Sequence, residues 1–367
     1  MPSMSISMSL RGQLVSSTKF SPLSFFSSGE VGLWFDTNDI TTLFQDTAGT
    51  IPVTTPGQTV ALMRDKSGRG KHATQATAAQ RPTYGVIPYG GLRNILVSTD
   101  ALATQTVSVG AVSQTLSFTG TGSIVLSGAY TGTLVGTGVS NRVSVTFTPT
   151  AGNLTLTVTG SVTFAQLEKG TSVTNYQRSI TKYNITEIGK ATVGVLFTDG
   201  VDDGMVTPSI DFSGTDKVTV WAGVEKLSDA TRAVVMELGP PTATGSFAIN
   251  APTGTGIASF GFSSTGTASS FANSVLFAAP IVSVLTGIGD ISGDRATLQV
   301  NNSQVAQATT DQGTGNYSNS SIYLFRRGGS TLPFNGIFTS LIVRGAQSSV
   351  AQLLNGNTYI NSTLGAY

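Results

Sequence analysis

Apolar and polar residues alternate strictly in the middle of the chain. Between about residues 93 and 178, alternating runs separated by Gly-rich turns lie at 114–119, 123–126, 142–148 and 153–159. A two-residue period places every second side chain on the same face of a strand, so these runs predict closely spaced, half-buried strands. Such strands are typical of a small antiparallel sandwich. The side chains that we expect to face its core are Leu116, Phe118, Val143, Val145, Phe147, Leu154, Leu156 and Val158.

Beyond Thr192 the predicted strands are longer and richer in aromatic residues. They lie at 193–197, 218–224, 258–262, 296–300, 322–325 and 337–343. Aromatic and β-branched residues favour strands, so this part of the chain predicts a second, larger sandwich. Near the C-terminus, Ser349 precedes the stretch 350–354 and Gly356 follows it. This order predicts a short capped helix that stops at Gly356.

Residues 1–28 are rich in Ser and Met and show no clear period. The aromatic-anchored pattern begins only at Gly32, so we expect the first 28 residues to form an extended arm. Several apolar residues of this arm are candidates for docking to another subunit, namely Leu10, Leu14, Phe20, Phe25 and Phe26. A frayed terminus is the alternative interpretation. The segment lacks the basic start and continuous apolar run of a secretory signal.

The composition restricts the possible partners and chemistry. Only 11% of residues are charged, and the formal net charge is +1. We therefore expect neither nucleic acid nor a membrane as a partner, because both require clustered basic residues. Cys is absent, which excludes disulfides, thiolate nucleophiles and Cys-based metal sites. We expect no cofactor.

Several separated stretches resemble one known fold. Those at 197–204, 294–302 and 334–338 are similar to the concanavalin A-like, laminin-G-like jelly roll. The early stretches 33–36 and 65–74 resemble the opening strand and first loop of the same fold. The resemblance implies a jelly roll that starts before the small sandwich and finishes after it.

We therefore expect an all-β fold with a discontinuous main domain. Residues 29–92 and 179–367 form the concanavalin A-like jelly-roll sandwich, and residues 93–178 form the smaller antiparallel β-sandwich inserted into it. Such an insertion is tolerated because the two ends of a surface loop lie close together. The extended N-terminal arm, 1–28, precedes both.

The segment 165–176, with the sequence AQLEKGTSVTNY, is similar to the closing strand of carbohydrate-binding-module-like domains in phage head-spike and fibre proteins. Together with the jelly-roll motifs, it makes the chain resemble a tailed-phage virion structural protein of the head-fibre, spike or decoration type. The resemblance implies a place on the exterior of the virion after synthesis in the host cytoplasm. It also favours a homo-oligomer, preferably a trimer, whose arm contacts capsid, portal or tail proteins.

The acidic residues do not form a catalytic pattern. Those considered are scattered along the chain: Glu225, Glu237, Asp290 and Asp294. The alternating Glu-x-Asp-x-Glu arrangement of jelly-roll glycosidases is absent. The single histidine, His72, lies in a loop, where we expect it to be exposed rather than part of a triad. We predict a non-enzymatic protein without catalytic residues, so a polysaccharide-depolymerase tailspike is the least favoured function.

Three acids lie close together in a Gly-flanked turn, at Asp199, Asp202 and Asp203. Carboxylate oxygens are suitable ligands for calcium, but the spacing lacks the pattern of an EF-hand and supplies no bidentate Glu. A polar turn with side-chain hydrogen bonds is the favoured interpretation. We predict no metal site, while calcium stays open as the alternative.

A glycan-binding protein that recognises a receptor is the alternative function. Aromatic faces stack on sugar rings, but aromatic residues within strand patterns mostly fill cores, so Trp34 and Trp221 are assigned to the core. Tyr130 and Tyr317 lie in turns rich in Gly, Ser and Asn. We therefore expect both tyrosines on the surface as candidate glycan contacts.

Overall fold

The computed structural model describes residues 20–26, 28–239 and 243–367. In chain order, the strands of this part of the protein are β1 (Gly32–Asp36), β2 (Leu43–Phe44), β3 (Leu62–Met63), β4 (Ala73–Thr74), β5 (Thr83–Pro88), β6 (Gln105–Val109), β7 (Gln114–Gly120), β8 (Ser123–Gly128), β9 (Gly132–Val135), β10 (Gly138–Phe147), β11 (Gly152–Thr159), β12 (Val162–Lys169), β13 (Gln177–Thr181), β14 (Asn184–Glu187), β15 (Thr192–Asp199), β16 (Met205–Val206), β17 (Ile210–Asp211), β18 (Lys217–Lys226), β19 (Val234–Leu238), β20 (Phe247–Asn250), β21 (Gly261–Thr265), β22 (Ser269–Asn273), β23 (Ile281–Asp290), β24 (Arg295–Val300), β25 (Ser303–Ala308), β26 (Asn319–Ser320), β27 (Ile322–Leu324) and β28 (Asn335–Arg344). The helices of these described ranges are short 3-10 turns at Pro22–Phe26, Ile40–Thr42 and Ala78–Gln80 and one α-helix, α1, at Val350–Leu364.

Two large sheets form the main sandwich. The first has the strand order β13-β14-β5-β15-β28-β18-β23-β24-β25, and β1 also pairs with β28. The second has the order β2-β3-β4-β16-β27-β19-β20-β21-β22. The two sheets approach closely where Phe262 of the second sheet packs on Gly287 of the first. A Cβ atom on Gly287 would lie 2.1 Å from the Phe262 ring. Only glycine fits this contact.

The smaller sandwich consists of a three-stranded sheet, β10-β7-β12, and a four-stranded sheet, β6-β11-β8-β9. It has a core of its own, in which Leu116, Phe118, Leu154 and Leu156 are fully buried. The chain leaves the first large sheet after β5 and returns to it at β13. The prediction of an all-β fold, with a small antiparallel sandwich inserted into a jelly-roll sandwich, is confirmed. The exact domain limits stay predictions.

One predicted strand begins later than its pattern indicates. We expected a strand at 258–262, but β21 starts at Gly261. Both backbone groups of Phe260 contact the Ser274 hydroxyl, which accepts the N–H at 3.2 Å and donates to the carbonyl at 3.0 Å. The Ser274 N–H also donates to the Phe260 carbonyl and the Phe277 N–H to the Ala258 carbonyl, at 2.9 Å each, so a few separate bonds rather than a regular strand ladder hold this stretch.

The C-terminal helix is longer than predicted. Ser349 and Gln352 form the capping box at its start, but the helix continues to Leu364 and ends at Gly365, whose φ is 75°. Gly356 does not stop the helix. Its small size lets the helix pack closely on the sheet, because a Cβ there would lie 2.5 Å from the Trp221 indole. No helix in the described residues is long and apolar enough to span a membrane.

The end of the predicted arm packs on the protein's own sandwich. The Phe25 ring stacks on Trp221 with centroids 5.1 Å apart and planes 6° apart. Phe25 and Phe26 are both buried, and the Phe26 carbonyl accepts a hydrogen bond from Arg69 Nη2 at 2.6 Å. The prediction that these two side chains dock to another subunit is therefore wrong, because their apolar surface is already covered within the chain.

The other predicted anchor residues differ from this pair. Phe20 is half-buried and lies 5.1 Å from the Phe25 ring, so it extends the same intramolecular cluster. Leu10 and Leu14 lie outside the described residues, and their role in docking stays a prediction.

Replacing Phe25 with Ala should lower the free energy of unfolding by about 3–5 kcal/mol, because it removes a buried ring and leaves a cavity beside Trp221. Chemical denaturation of the purified chain measures this change. Leu23→Ala is the matched control, since Leu23 is 51% exposed and should have little effect. Equal stability of the two variants would contradict the packing of this segment.

Candidate ligand-binding site

The loop between β3 and β4 folds around the carboxylate of Asp65. Its Oδ1 accepts the backbone N–H groups of Trp34 at 3.0 Å and Ser67 at 2.9 Å. Its Oδ2 accepts the Ser67 hydroxyl at 2.8 Å and the Lys71 N–H at 3.0 Å. These four bonds use both oxygens of the carboxylate. Asp65, itself buried, therefore fixes the path of the loop.

His72 closes this loop and is half-buried, so the expectation of an exposed histidine is wrong. The reason is that Nδ1 accepts the backbone N–H of Asp65 at 3.0 Å, which holds the ring against the loop. A nitrogen that accepts a hydrogen bond carries no proton, so in the neutral imidazole the proton lies on Nε2. The ring thereby keeps one hydrogen-bond donor.

An open cleft of about 630 Å³ lies beside this loop. Sheet pairing of β3, β4 and β16 brings its walls together from distant parts of the chain. The residues that line it are Thr47, Ala48, Leu62, Arg64, Gly70, His72, Thr74, Val206, Thr207 and Pro208. The walls combine apolar surface with hydroxyl, imidazole and guanidinium groups, which is the composition of many ligand sites.

Arg64 supplies the positive charge of the cleft. Its guanidinium carbon lies 4.2 Å from the centroid of the Phe44 ring, and Nη2 is 3.5 Å from the Gly49 carbonyl oxygen. No carboxylate in the described part of the chain lies within 4.0 Å of it. The aromatic ring therefore supports the guanidinium, while no ion pair neutralises it.

The acids that lie next to cleft residues in the sequence are hydrogen-bonded within their own loops. Asp46 precedes the lining residue Thr47, and its Oδ1 accepts the N–H groups of Thr50 and Ile51 at 2.9 Å each. The Thr50 hydroxyl and these N–H groups hold the pKa of Asp46 below its usual value. Asp65 is likewise fully hydrogen-bonded within its own loop. The residues that line the cleft supply hydrogen-bond donors and include no carboxylate.

The sequence alone did not indicate that the cleft residues lie close together. Arg64 was not singled out, although it directly precedes the loop at 65–74 that resembles the opening loop of the jelly roll. Thr74 and Thr207 carry no local signal, because the pairing of β4 with β16 makes them neighbours. Only the position of Arg64 beside a predicted loop could have indicated the site.

The two predicted glycan contacts lie elsewhere. Tyr317 is 1% exposed, its hydroxyl lies 2.8 Å from Ser264 Oγ, and its ring packs edge-on against Phe247. The prediction that Tyr317 lies on the surface is wrong, because burial covers its ring and Ser264 satisfies its hydroxyl. Tyr130 is half-buried in the small sandwich and stacks on Phe147 at 4.4 Å. Its contact with glycan stays a prediction.

The Asp199 turn has the hydrogen bonds that we predicted for it. Asp199 Oδ1 accepts the N–H groups of Val201 at 2.8 Å and Asp202 at 3.2 Å. Asp203 Oδ2 accepts the Asp199 N–H at 3.0 Å. One oxygen from each of the three carboxylates lies within 4.8 Å of the others. Burial, aided by the negative charge of Asp199, raises the pKa of Asp203 to about 7.

The acids considered for catalysis each accept a backbone N–H that lies close to them in the fold. Glu225 accepts the N–H of Leu92, Glu237 that of Gly328, Asp290 that of Gly293 and Asp294 that of Gln312. Burial raises the pKa of Glu225 to about 8. None of these four acids lines the cleft.

The chain enters and leaves the small sandwich through a buried polar junction. Gln177 Oε1 accepts the N–H groups of Arg93 at 2.7 Å and Asn94 at 3.1 Å. Gln177 Nε2 donates to the Gly91 carbonyl at 3.0 Å. Asn94 Nδ2 donates to the carbonyls of Ala165 and Gln177 at 2.9 Å each. Side chains thus join the segment that enters the small sandwich to the strand β13 that leaves it.

The segment 165–176 completes this junction. Glu168 Oε1 accepts Gln166 Nε2 at 2.7 Å and the Thr174 N–H at 2.9 Å. Gln166 Oε1 in turn accepts the Gln177 N–H at 2.7 Å. Gln166 and Glu168 are fully buried, so the polar residues of this segment hold the small sandwich to the large one.

Comparison with known proteins gives partial overlaps with solved structures. No family model and no curated protein matches the chain. Among solved structures, the CBM40 module of Ruminococcus gnavus IT-sialidase bound to α2,3-sialyllactose is similar, with 15% identity and a TM-score of 0.32 over 41% of this chain and 83% of that one. A mutant NanB sialidase from Streptococcus pneumoniae is similar, with 14% identity and a TM-score of 0.33 over 43% and 26%. The receptor-binding domain of a botulinum neurotoxin C/D mosaic serotype has 7% identity and a TM-score of 0.36 over 46% and 42%.

Replacing Glu225 with Gln should remove a pH dependence of stability. The wild-type folded protein keeps a proton on Glu225 up to about pH 8, whereas the unfolded chain loses it near pH 4.5. Between these values the folded state binds more protons, so wild-type stability falls as pH rises. We expect Glu225→Gln, which preserves an acceptor for the Leu92 N–H, to gain on the order of 2–4 kcal/mol relative to wild type between pH 5 and 8.

Urea unfolding of both proteins across this pH range measures the difference. A constant difference in unfolding free energy between pH 5 and 8 would contradict the protonated state of Glu225.

Proposed function

We propose that the chain is a non-enzymatic structural subunit of the exterior of a virus particle, and that it binds host-surface glycan in the cleft beside the Asp65 loop. The observation that carries the binding role is the cleft itself, where an unpaired guanidinium, an imidazole and hydroxyl groups meet apolar wall residues without a carboxylate. Saccharides combine hydroxyl groups with apolar C–H faces, so they fit a wall of this mixed character.

The positions of the acids support a role without catalysis. Glycoside hydrolysis requires two carboxyl groups about 5–10 Å apart on either side of the scissile bond. The lining of the cleft contains none, and the four acids considered for catalysis each hold a backbone group of the fold. A depolymerase is therefore disfavoured at this site.

The resemblance of 165–176 and of the jelly-roll motifs supports a place on the virion. The junction adds a physical argument. A buried polar network between the two sandwiches gives a stiff two-part body, which suits a protein on the outside of a particle. In this proposal the subunit assembles as a homo-oligomer, preferably a trimer. Its first 19 residues attach it to capsid, portal or tail proteins.

An array of host-surface glycans tests the binding role. The folded, full-length chain should retain a subset of glycans and release no reducing ends from capsular polysaccharides under the same conditions. Fluorescence of the bound protein and a reducing-sugar assay give the two readouts. Absence of binding across the array, or release of reducing ends, would overturn this part of the proposal.

Deleting residues 1–19 should abolish incorporation into particles while the body stays folded, because the cluster that contains Phe25 is retained. Particles assembled with the truncated or the full-length chain are purified and probed by immunoblotting. The melting temperature of the truncated chain serves as the folding control. Normal incorporation of the truncated chain would remove the anchor role from this segment.

A further inference from the structure

We propose that the cleft binds an acidic saccharide, whose carboxylate or sulfate group pairs with Arg64 and accepts a hydrogen bond from His72. This inference rests on the proposed glycan-binding function and names the ligand class of the same site.

Arg64 is prepared for an anionic partner. It is exposed, and its guanidinium carbon lies 4.2 Å from the centroid of the Phe44 ring. Because the ring already restricts the side chain, binding costs less conformational entropy. Its contact with the Gly49 carbonyl, at 3.5 Å, is long for a hydrogen bond and uses one of five N–H donors. A guanidinium without a carboxylate partner matches the planar, two-oxygen face of a carboxylate or sulfate.

His72 and its neighbour Lys71 add a hydrogen-bond donor and an ammonium group to the site. The His72 ring is fixed by its Nδ1 contact with Asp65, so the remaining Nε2–H is a donor at a set position. Lys71 precedes it and donates from Nζ to the Ser209 carbonyl at 2.8 Å, which places an ammonium group near Pro208 of the cleft wall. Asp211 lies near Lys71 and offsets part of its positive charge, and its carboxylate also accepts the N–H and hydroxyl of Ser213.

The rest of the cleft suits the uncharged part of a sugar. Leu62, Val206 and Pro208 give apolar wall surface, and Thr47 and Thr74 add hydroxyl groups. The volume of about 630 Å³ lies within the range of about 300–1,000 Å³ that small-molecule sites occupy. The cleft thus has room for sugar units beside the acidic group.

Ala48 offers a direct test of charge. It is exposed and lines the cleft, so Glu or Lys at this position alters the charge without opening the core. Ala48→Glu should weaken binding of acidic oligosaccharides at least 10-fold, and Ala48→Lys, of similar bulk, should bind them at least as tightly as wild type. Ala151→Glu makes the same charge change at an exposed position of the small sandwich and should leave affinity unchanged.

The probes are matched oligosaccharide pairs that differ only in one carboxylate or sulfate, immobilised for interferometry with the full-length chain. We expect selective binding of the acidic member of a pair, a loss of at least 10-fold in Arg64→Gln, and opposite responses of the two Ala48 variants. Melting temperatures confirm that each variant is folded.

The outcomes separate this inference from the proposed function. Binding of neutral and acidic members with equal affinity, or acidic binding that ignores the charge at position 48, would refute the ligand class while glycan binding stands. Failure of the wild-type chain to bind any saccharide would overturn both.

Discussion

Buried backbone groups must find hydrogen-bond partners, and in this chain polar side chains supply them wherever the strands do not. Asp65 accepts three backbone N–H groups and closes a tight loop beside the second sheet. Gln177 and Asn94 do the same work at the junction between the two sandwiches. Without these acceptors and donors, the connecting segments could not be buried, and neither the cleft nor the two-part body would have a fixed shape.

This constraint explains how a chain with few charged residues uses them. Glu225 and Glu168 are fully buried, and each accepts backbone N–H groups of a connecting segment. Arg64 is different, because it is exposed, lies on an aromatic ring and has no carboxylate partner in the described residues. These two acids thus hold the backbone, whereas an unneutralised cation lines the cleft.

The sequence predicted regular strands well, because their alternation reflects burial directly. The runs at 114–119 and 153–159 became β7 and β11, with Leu116 and Leu156 in the core. Predictions from isolated residues were less successful. A Gly- and Asn-rich context suggested that Tyr317 is exposed, but tertiary packing buries its ring.

Long-range pairing accounts for what local reasoning could not find. From the sequence Gly356 resembled a helix stop, but in the fold it packs against Trp221 within the helix. The cleft depends on β4 meeting β16, which no local pattern encodes. Likewise, Phe25 and Phe26 resembled an intermolecular anchor because the sequence does not show the sandwich face that covers them.

Amide hydrogen exchange of the free protein tests most directly whether side chains hold the loops in place. The Ser67 and Lys71 amides, bound to Asp65, and the Arg93 and Asn94 amides, bound to Gln177, lie outside the strands. If the account is right, these four amides exchange at least about 100-fold more slowly than in an unstructured chain, as amides in stable hydrogen bonds do. Exchange of all four at the unstructured rate would contradict a preformed cleft and a stiff junction.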